Sequence, residues 1–156
     1  MKILMVCLGN ICRSPLAEGI AGQLAVERGL DWVFDSASTS GWHDGNPPDV
    51  RSIRVAAQHG LDISRQQSRK LVPQDYHDFD LIIAMDSENM QNMTKIAPPD
   101  GRAKLRMMLD FVDPGMNAQV PDPYLGGDDG FLHVYNLLLD ACSAMLDELQ
   151  GETQAT

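Results

Sequence analysis

Short apolar runs alternate along the chain with stretches of helical periodicity. Four runs are typical of β-strands: Ile3–Val6, Trp32–Phe34, Leu81–Ala84 and Leu105–Leu109. The first and third runs contain almost no polar residue, which suits a parallel sheet that is covered on both faces. The hydropathy pattern therefore predicts buried strands rather than strands with one solvated face.

Apolar residues recur at helical spacing between these strands. Three segments show this spacing, and their apolar positions are Leu16, Ile20 and Leu24; Val50, Ile53 and Ala57; and Val134, Leu138, Ala141, Met145 and Leu149. Turn residues rich in Gly, Pro and Asp fill the gaps. Strands that alternate with helices through short connections predict a doubly wound α/β domain over residues 1–150, with a frayed tail at 151–156.

Composition and charge narrow the possible partners. The 156 residues give room for one domain, and 22 acidic against 12 basic residues give a formal net charge of −10. Nucleic acid and anionic membranes both need a basic face, so neither is expected as the main partner. The apolar run at the N-terminus is too short to span a membrane. Three cysteines, an odd number, favour a reducing compartment, and we expect a cytoplasmic protein.

The loop after the first strand has the composition of an anion site. Gly9 and Asn10 suit a turn, and Ser14 followed by Pro15 is typical of a helix start, with Ser14 as the N-cap. A helix N-terminus gathers unpaired N–H groups and the positive end of the helix dipole, and both favour an oxyanion. The loop lacks both the Gly-Lys-Ser/Thr and the G-x-G-x-x-G nucleotide motifs.

A thiol and a guanidinium flank this loop. Cys7 ends the first strand, and five residues separate it from Arg13. Arg13 offers a planar fork of donors that can hold two oxygens of a phosphate at once. A nearby cation and a helix N-terminus favour ionisation of a thiol, and a thiolate attacks without a base and leaves readily afterwards. We therefore expect Cys7 at the floor of the anion site, where it would form a phosphocysteine.

Two segments carry a resemblance to a known family. Val6–Pro15 (VCLGNICRSP), together with Asp122–Tyr124 (DPY) far downstream, closely resembles the low-molecular-weight protein tyrosine phosphatases. Similarity extends over nearly the whole chain and includes Asp35–Ala37, Ser40–Trp42 and Gly45–Asp49. The resemblance implies a four-stranded parallel sheet flanked by helices on both faces, which agrees with the hydropathy pattern.

The resemblance also implies the roles of the site residues. Cys7 is expected to be the nucleophile, Arg13 to bind the equatorial oxygens, and Asp122 to act as the general acid. The residues expected to bind phosphate or support the loop are Leu8, Gly9, Asn10, Ile11, Cys12, Ser14 and Ser36. Among these, Ser14 is expected to donate to the thiolate, whereas Asn10 and Ser36 brace the loop.

Four residues concern specificity and regulation. Trp42 and Tyr124 are the candidate walls of the pocket, because aromatic sides suit a flat phenyl ring and a deep site excludes phosphoserine. Leu125 stands where the family often has a second tyrosine. By resemblance, Cys12 is expected to form a reversible disulfide with Cys7 that protects the nucleophile.

The sequence thus predicts a phosphatase that hydrolyses phosphotyrosine in proteins, and small aryl phosphates, without a cofactor and with phosphate as product and inhibitor. No metal site is expected, because the four histidines are scattered. One alternative is an arsenate reductase on a similar fold, although residues 81–93 lack a resolving cysteine. A second is a non-catalytic phosphotyrosine-binding module, which would not need Asp122.

Overall fold

A four-stranded parallel sheet forms the centre of the molecule. The computed structural model describes residues 1–154. The strands are β1 (Lys2–Cys7), β2 (Val33–Ser38), β3 (Leu81–Ala84) and β4 (Lys104–Met107). Their order in the sheet is β2-β1-β3-β4, and every pairing is parallel. The predicted doubly wound, four-stranded α/β fold is confirmed.

Helices cover both faces of this sheet. They are α1 (Arg13–Glu27), α2 (Val50–Gln58), α3 (Asp75–Asp78), α4 (Ser87–Ile96) and α5 (Asp128–Gln154), with a 3-10 helix at Met108–Phe111. Alternate residues of β1 point into two separate apolar clusters, one packed with α1, α2 and α5 and the other with α3 and α4. Because both faces are buried, β1 and β3 carry apolar side chains at consecutive positions.

The order of the strands places a crevice at the carboxyl end of β1. The chain leaves β1 for α1 on one face of the sheet, and it leaves β3 for α4 on the opposite face. In doubly wound sheets, ligands bind where neighbouring strands send their helices in opposite directions. The loop between Cys7 and Arg13 lies at this point.

Strand β2 is longer than the hydropathy pattern predicts. The predicted run Trp32–Phe34 ends where the observed strand, Val33–Ser38, continues through polar residues. Those residues pair with β1, and the Ser36 hydroxyl is satisfied by Glu18 at 2.7 Å. A run of apolar residues cannot reveal a strand whose polar groups are hydrogen-bonded inside the fold.

The last helix passes the predicted domain boundary at 150. Helix α5 continues to Gln154, and the Thr153 hydroxyl donates to the carbonyl of buried Leu149 at 2.9 Å. The rest of the predicted frayed tail, residues 155 and 156, lies outside the described residues. Within residues 1–154, no helix is both long and apolar enough to cross a membrane.

Candidate active site

Donors from other segments hold the carbonyl groups of the loop after β1. The pairs are Thr39 N to Cys7 O (3.0 Å), Ser40 N to Leu8 O (3.1 Å), Ser68 Oγ to Gly9 O (3.1 Å), Asp49 N to Ile11 O (2.8 Å) and Ser52 Oγ to Cys12 O (3.3 Å). In a trans peptide the C=O and the following N–H point in opposite directions. With these carbonyls bound outside the loop, the following N–H groups turn to its inner side, where an oxyanion can accept them.

Helix α1 begins two residues earlier than expected. Its first residue is Arg13, and the N-cap is Cys12, which makes no side-chain capping bond. The prediction of Ser14 as N-cap is therefore wrong. The Ser14 hydroxyl is used elsewhere, since it lies 3.0 Å from the Cys7 sulfur and accepts a hydrogen bond from Asn10 Nδ2 at 2.8 Å. Because Asn10 supplies one donor to this oxygen, the Ser14 proton is free to point at the sulfur.

Asn10 holds the turn of the loop. Its φ of 56° lies in the left-handed region, which Asn tolerates better than most residues. Its side-chain oxygen accepts from the backbone N–H of Arg69 at 3.1 Å, while its Nδ2 donates to Ser14. Both ends of the amide are thus used, and the second partner comes from a distant part of the chain.

Arg13 is buried and fixed by two acceptors. Its Nη1 donates to Asp86 Oδ2 at 2.6 Å and to the carbonyl of Val120 at 3.0 Å. Asp86 follows β3, and its other oxygen caps α4 by accepting from Asn89 N at 2.7 Å. These contacts lock one edge of the guanidinium, so its remaining donors are set in place for an anion.

Asp122 lies at the edge of the same site. Its carboxylate is 45% exposed, and Oδ2 lies 3.7 Å from Arg13 Nη2. Its other oxygen, Oδ1, accepts from Tyr124 N at 3.1 Å. The loop after β4 therefore brings a carboxyl group to the site that β1 and α1 begin.

A cavity of about 100 Å³ connects these groups. Its lining residues are Cys7, Leu8, Gly9, Ile11, Cys12, Arg13, Trp42, His43, Asp122 and Tyr124. The Cys7 sulfur is at the buried end, since the residue is 2% exposed, whereas Trp42 is 73% exposed and Tyr124 is 45% exposed. The cavity thus has a polar floor and aromatic walls, which suits an aryl phosphate.

Two residues at or near the cavity escaped the sequence analysis. His43 contributes to the cavity, and its ring packs so close to Gly9 that a Cβ there would lie 3.1 Å from His43 Cδ2. A side chain at position 9 would therefore require the His43 ring to shift by a few tenths of an ångström. His43 directly follows Trp42, a predicted wall of the pocket, and this position in the sequence could have indicated that His43 lines the cavity. The second missed residue is Arg51, which binds the loop that carries Asp122.

Ser36 contacts the helix that follows the loop. Its hydroxyl donates to Glu18 Oε1 in α1 at 2.7 Å. In the sheet, Ser36 pairs with Met5, two residues before Cys7. The expectation that Ser36 braces the loop stays a prediction.

The three cysteines are free thiols and lie in different surroundings. Cys12 lines the cavity but is 4% exposed, and burial, followed by the negative charge of Asp49, raises the pKa of its thiol. Cys142 is fully buried in α5, where its thiol donates to Ala17 O at 3.8 Å and burial raises its pKa to about 12. Neither environment favours a thiolate.

Comparisons with known proteins agree with this geometry. The family model for low molecular weight phosphotyrosine protein phosphatase matches residues 2–155. A relative of that name from Schizosaccharomyces pombe is 41% identical over 143 residues, covering 90% of this chain and 91% of the relative. A solved protein tyrosine phosphatase from Entamoeba histolytica superposes with a TM-score of 0.91 at 37% identity, covering 98% of this chain and 99% of the other.

Another solved structure, a Drosophila arginine phosphatase, gives a TM-score of 0.88 at 35% identity and covers 96% of this chain and 98% of the other. These matches span both segments that form the cavity. The family model matches nearly every residue, and the loop between Cys7 and Arg13 (the anion loop), Arg13 itself and the Asp122 carboxyl group surround one cavity. This chain therefore belongs to the low molecular weight phosphotyrosine protein phosphatase family.

Proposed function

We propose that this protein hydrolyses phosphotyrosine in proteins, and small aryl phosphates, through a phosphocysteine on Cys7. One observation carries the proposal: Cys7, Arg13 and Asp122 line a single cavity although they come from opposite parts of the chain. A buried sulfur, a fixed guanidinium and a carboxyl group at the edge are the parts that a two-step phosphoryl transfer requires.

In the first step, the Cys7 sulfur attacks phosphorus. The S–P bond forms as the bond between phosphorus and the tyrosine oxygen breaks. Asp122, protonated at this stage, gives its proton to the departing oxygen, which would otherwise leave as a poor anionic leaving group. The inward-facing N–H groups of the loop and Arg13 stabilise the charge on the phosphoryl oxygens.

In the second step, water releases the phosphate. Asp122, now a carboxylate, accepts a proton from the attacking water. As it does so, the water oxygen bonds to phosphorus and the S–P bond breaks. Free phosphate then occupies the site formed by the loop N–H groups and Arg13 before it leaves, so phosphate acts as a product inhibitor. The Ser14 hydroxyl, 3.0 Å from the sulfur, favours the Cys7 anion as leaving group.

The walls of the cavity support a preference for an aromatic ester. Trp42 and Tyr124 flank the opening, and the sulfur lies at the buried end. A phosphate at the end of a phenyl ring reaches that depth, whereas the short side chain of phosphoserine does not. Phosphoarginine is also long, so we include it in the test beside phosphotyrosine.

The two alternative functions receive less support. An arsenate reductase would need further accessible cysteines near the site, but Cys142 is fully buried in α5. A module that only binds phosphotyrosine would leave Asp122 without use, although this carboxyl group lines the cavity with the sulfur. A cytoplasmic location is also part of the proposal, because three free thiols suit a reducing compartment.

Substitution of the nucleophile tests the proposal. With p-nitrophenyl phosphate and a phosphotyrosine peptide, Cys7→Ser should abolish turnover, while phosphate still binds in a calorimetric titration because the loop amides and Arg13 remain. Asp129→Asn, a nearby exposed carboxylate, serves as control and should retain activity. Turnover by Cys7→Ser, or faster hydrolysis of a phosphoarginine or phosphoserine peptide than of the phosphotyrosine peptide, would contradict the assignment.

A further inference from the structure

Arg51, the second residue of α2, is held by a carboxylate beside it. Its Nε donates to Asp49 Oδ1 and its Nη2 to Asp49 Oδ2, both at 3.0 Å, which makes a two-point pair. Asp49 also caps α2, since Oδ1 accepts from Arg51 N at 2.8 Å. Bidentate pairs fix the plane of a guanidinium as well as its position.

The other edge of Arg51 binds the loop that carries Asp122. Nη1 donates to Gly126 O and Nη2 to Tyr124 O, both at 2.9 Å. The guanidinium carbon lies 4.5 Å from the ring centre of Phe131 in α5 and 5.7 Å from that of Tyr124. The side chain thus reaches both ends of the loop's turn and the helix that follows.

Tyr124 is held on both sides of its backbone. Its carbonyl accepts from Arg51, and its N–H donates to Asp122 Oδ1 at 3.1 Å. The orientation of the Asp122 carboxyl group therefore depends on the Tyr124 backbone, which in turn depends on Arg51. This loop has little else to fix it, since among positions 121–127 only Pro123 is buried.

Asp49 connects the same group to the anion loop. Its N–H donates to Ile11 O at 2.8 Å, one of the bonds that turn the loop carbonyls outward. The side-chain hydrogen bond from Arg51 lowers the pKa of Asp49, so the pair stays ionised under mildly acidic conditions. A continuous set of contacts runs from Ile11 through Asp49, Arg51 and Tyr124 to Asp122.

We propose that Arg51 is a positioning residue that ties the Asp122 loop to the anion loop and sets the acid at the distance from which it protonates the leaving oxygen. The inference rests on the proposed acid role of Asp122. General acid catalysis contributes about 10²- to 10⁴-fold in rate, and displacement by about 1 Å can cost about 10²-fold. Loss of the tether should therefore remove a large part of the contribution of the acid and little else.

Esters that differ in their need for a proton give the test. Phenyl phosphate releases a basic phenolate that needs the acid, whereas 2,4-dinitrophenyl phosphate releases a stable anion that does not. Arg51→Gln should lower kcat/KM for phenyl phosphate about 10- to 100-fold, and for the dinitrophenyl ester less than about threefold. Arg51→Lys, which keeps the charge but loses the planar fork, should show the same selectivity with a smaller loss.

Two further variants separate positioning from general damage. Arg54→Gln removes a positive charge from the same helix, but Arg54 binds Asp128 at 3.4 Å rather than the loop carbonyls, so both esters should react normally. In an Asp122→Asn background, Arg51→Gln should cause no further loss with phenyl phosphate, because both changes remove the same contribution.

Each outcome decides the matter. Equal loss on both esters, no loss on either, or a full additional loss in the Asp122→Asn background overturns the positioning role of Arg51. If Asp122→Asn itself fails to discriminate between the esters, the acid assignment fails and the inference falls with it. If Asp122→Asn discriminates and Arg51→Gln and Arg51→Lys do not, only the inference falls.

Discussion

At the scale of single residues, the site depends on polar side chains that use two atoms for two different partners. Asn10 donates to Ser14 with Nδ2 and accepts from Arg69 N with Oδ1. Asp86 holds Arg13 with one oxygen and caps α4 with the other. A substitution that keeps one of these bonds still loses the other, so such residues tolerate few replacements.

Ser14→Ala tests the hydrogen bond to the Cys7 sulfur. A hydrogen bond to a charged group contributes about 1.5–3 kcal/mol, so its loss should disfavour the Cys7 anion as leaving group and lower kcat about 10- to 100-fold. Turnover of p-nitrophenyl phosphate gives the comparison, with Ser64→Ala, at an exposed turn, as control. An unchanged kcat would contradict this role of Ser14.

At the scale of elements, a partly buried carboxyl group joins α1 to β2. Glu18 accepts the Ser36 hydrogen bond at 2.7 Å. Burial, with a smaller contribution from the charge of Asp35, raises its pKa from 4.5 to about 7, although the Ser36 hydrogen bond acts in the opposite direction. Glu18 therefore stays protonated in the fold at pH values where the unfolded chain has already lost that proton.

This pKa gives a signed prediction for stability. Between pH 4.5 and about 7 the unfolded state binds fewer protons at Glu18 than the folded state, so its contribution to stability falls as the pH rises through that window. Glu18→Gln should gain stability relative to the parent as the pH rises from about 5 to about 8, by at most about 3 kcal/mol. Urea denaturation at both pH values measures the change. A difference that stays constant with pH would contradict it.

The bounds of the helices and strands show where the hydropathy pattern is sufficient for prediction and where it is not. The predicted and observed bounds of β3 coincide at Leu81–Ala84, because all four side chains are buried and apolar. Strand β2 was predicted three residues long, because its polar half is satisfied by partners far along the chain. Helix α5 was found from its apolar stripe, but its end was not, since the stripe stops at Leu149 and the backbone bonds continue.

The residues of the site could be predicted from the family resemblance, whereas the contacts that position them could not. Cys7, Arg13 and Asp122 were named from their motifs, and they line one cavity. The contact between Arg13 and Val120, 107 residues apart, leaves no local pattern in the sequence. The same holds for Arg51, whose loop partners lie 73 and 75 residues away. Bonds of side chains to distant carbonyls depend on the fold alone.

At the scale of the whole molecule, charge acts on the substrate from a distance. The formal net charge is −10, and an acidic protein repels an acidic peptide during diffusional encounter. At low ionic strength we expect higher kcat/KM for phosphotyrosine peptides with basic flanks than for those with acidic flanks. The difference should shrink as salt is added, because screening shortens the range of the field. Rates for matched peptides across a salt series provide the measurement, and a preference for acidic flanks would contradict the expectation.

The distance along the chain between the proposed nucleophile, Cys7, and the proposed acid, Asp122, has a consequence for synthesis. Cys7 and Arg13 emerge from the ribosome early, whereas the carbonyl of Val120 that fixes Arg13 and the carboxyl group of Asp122 emerge only after most of the chain. A nascent polypeptide that ends before Val120 carries the thiol but lacks the carboxyl group proposed to protonate the leaving oxygen. Catalytic competence therefore arises late in translation, after the segment with Val120 and Asp122 has been synthesised and has packed beside Cys7.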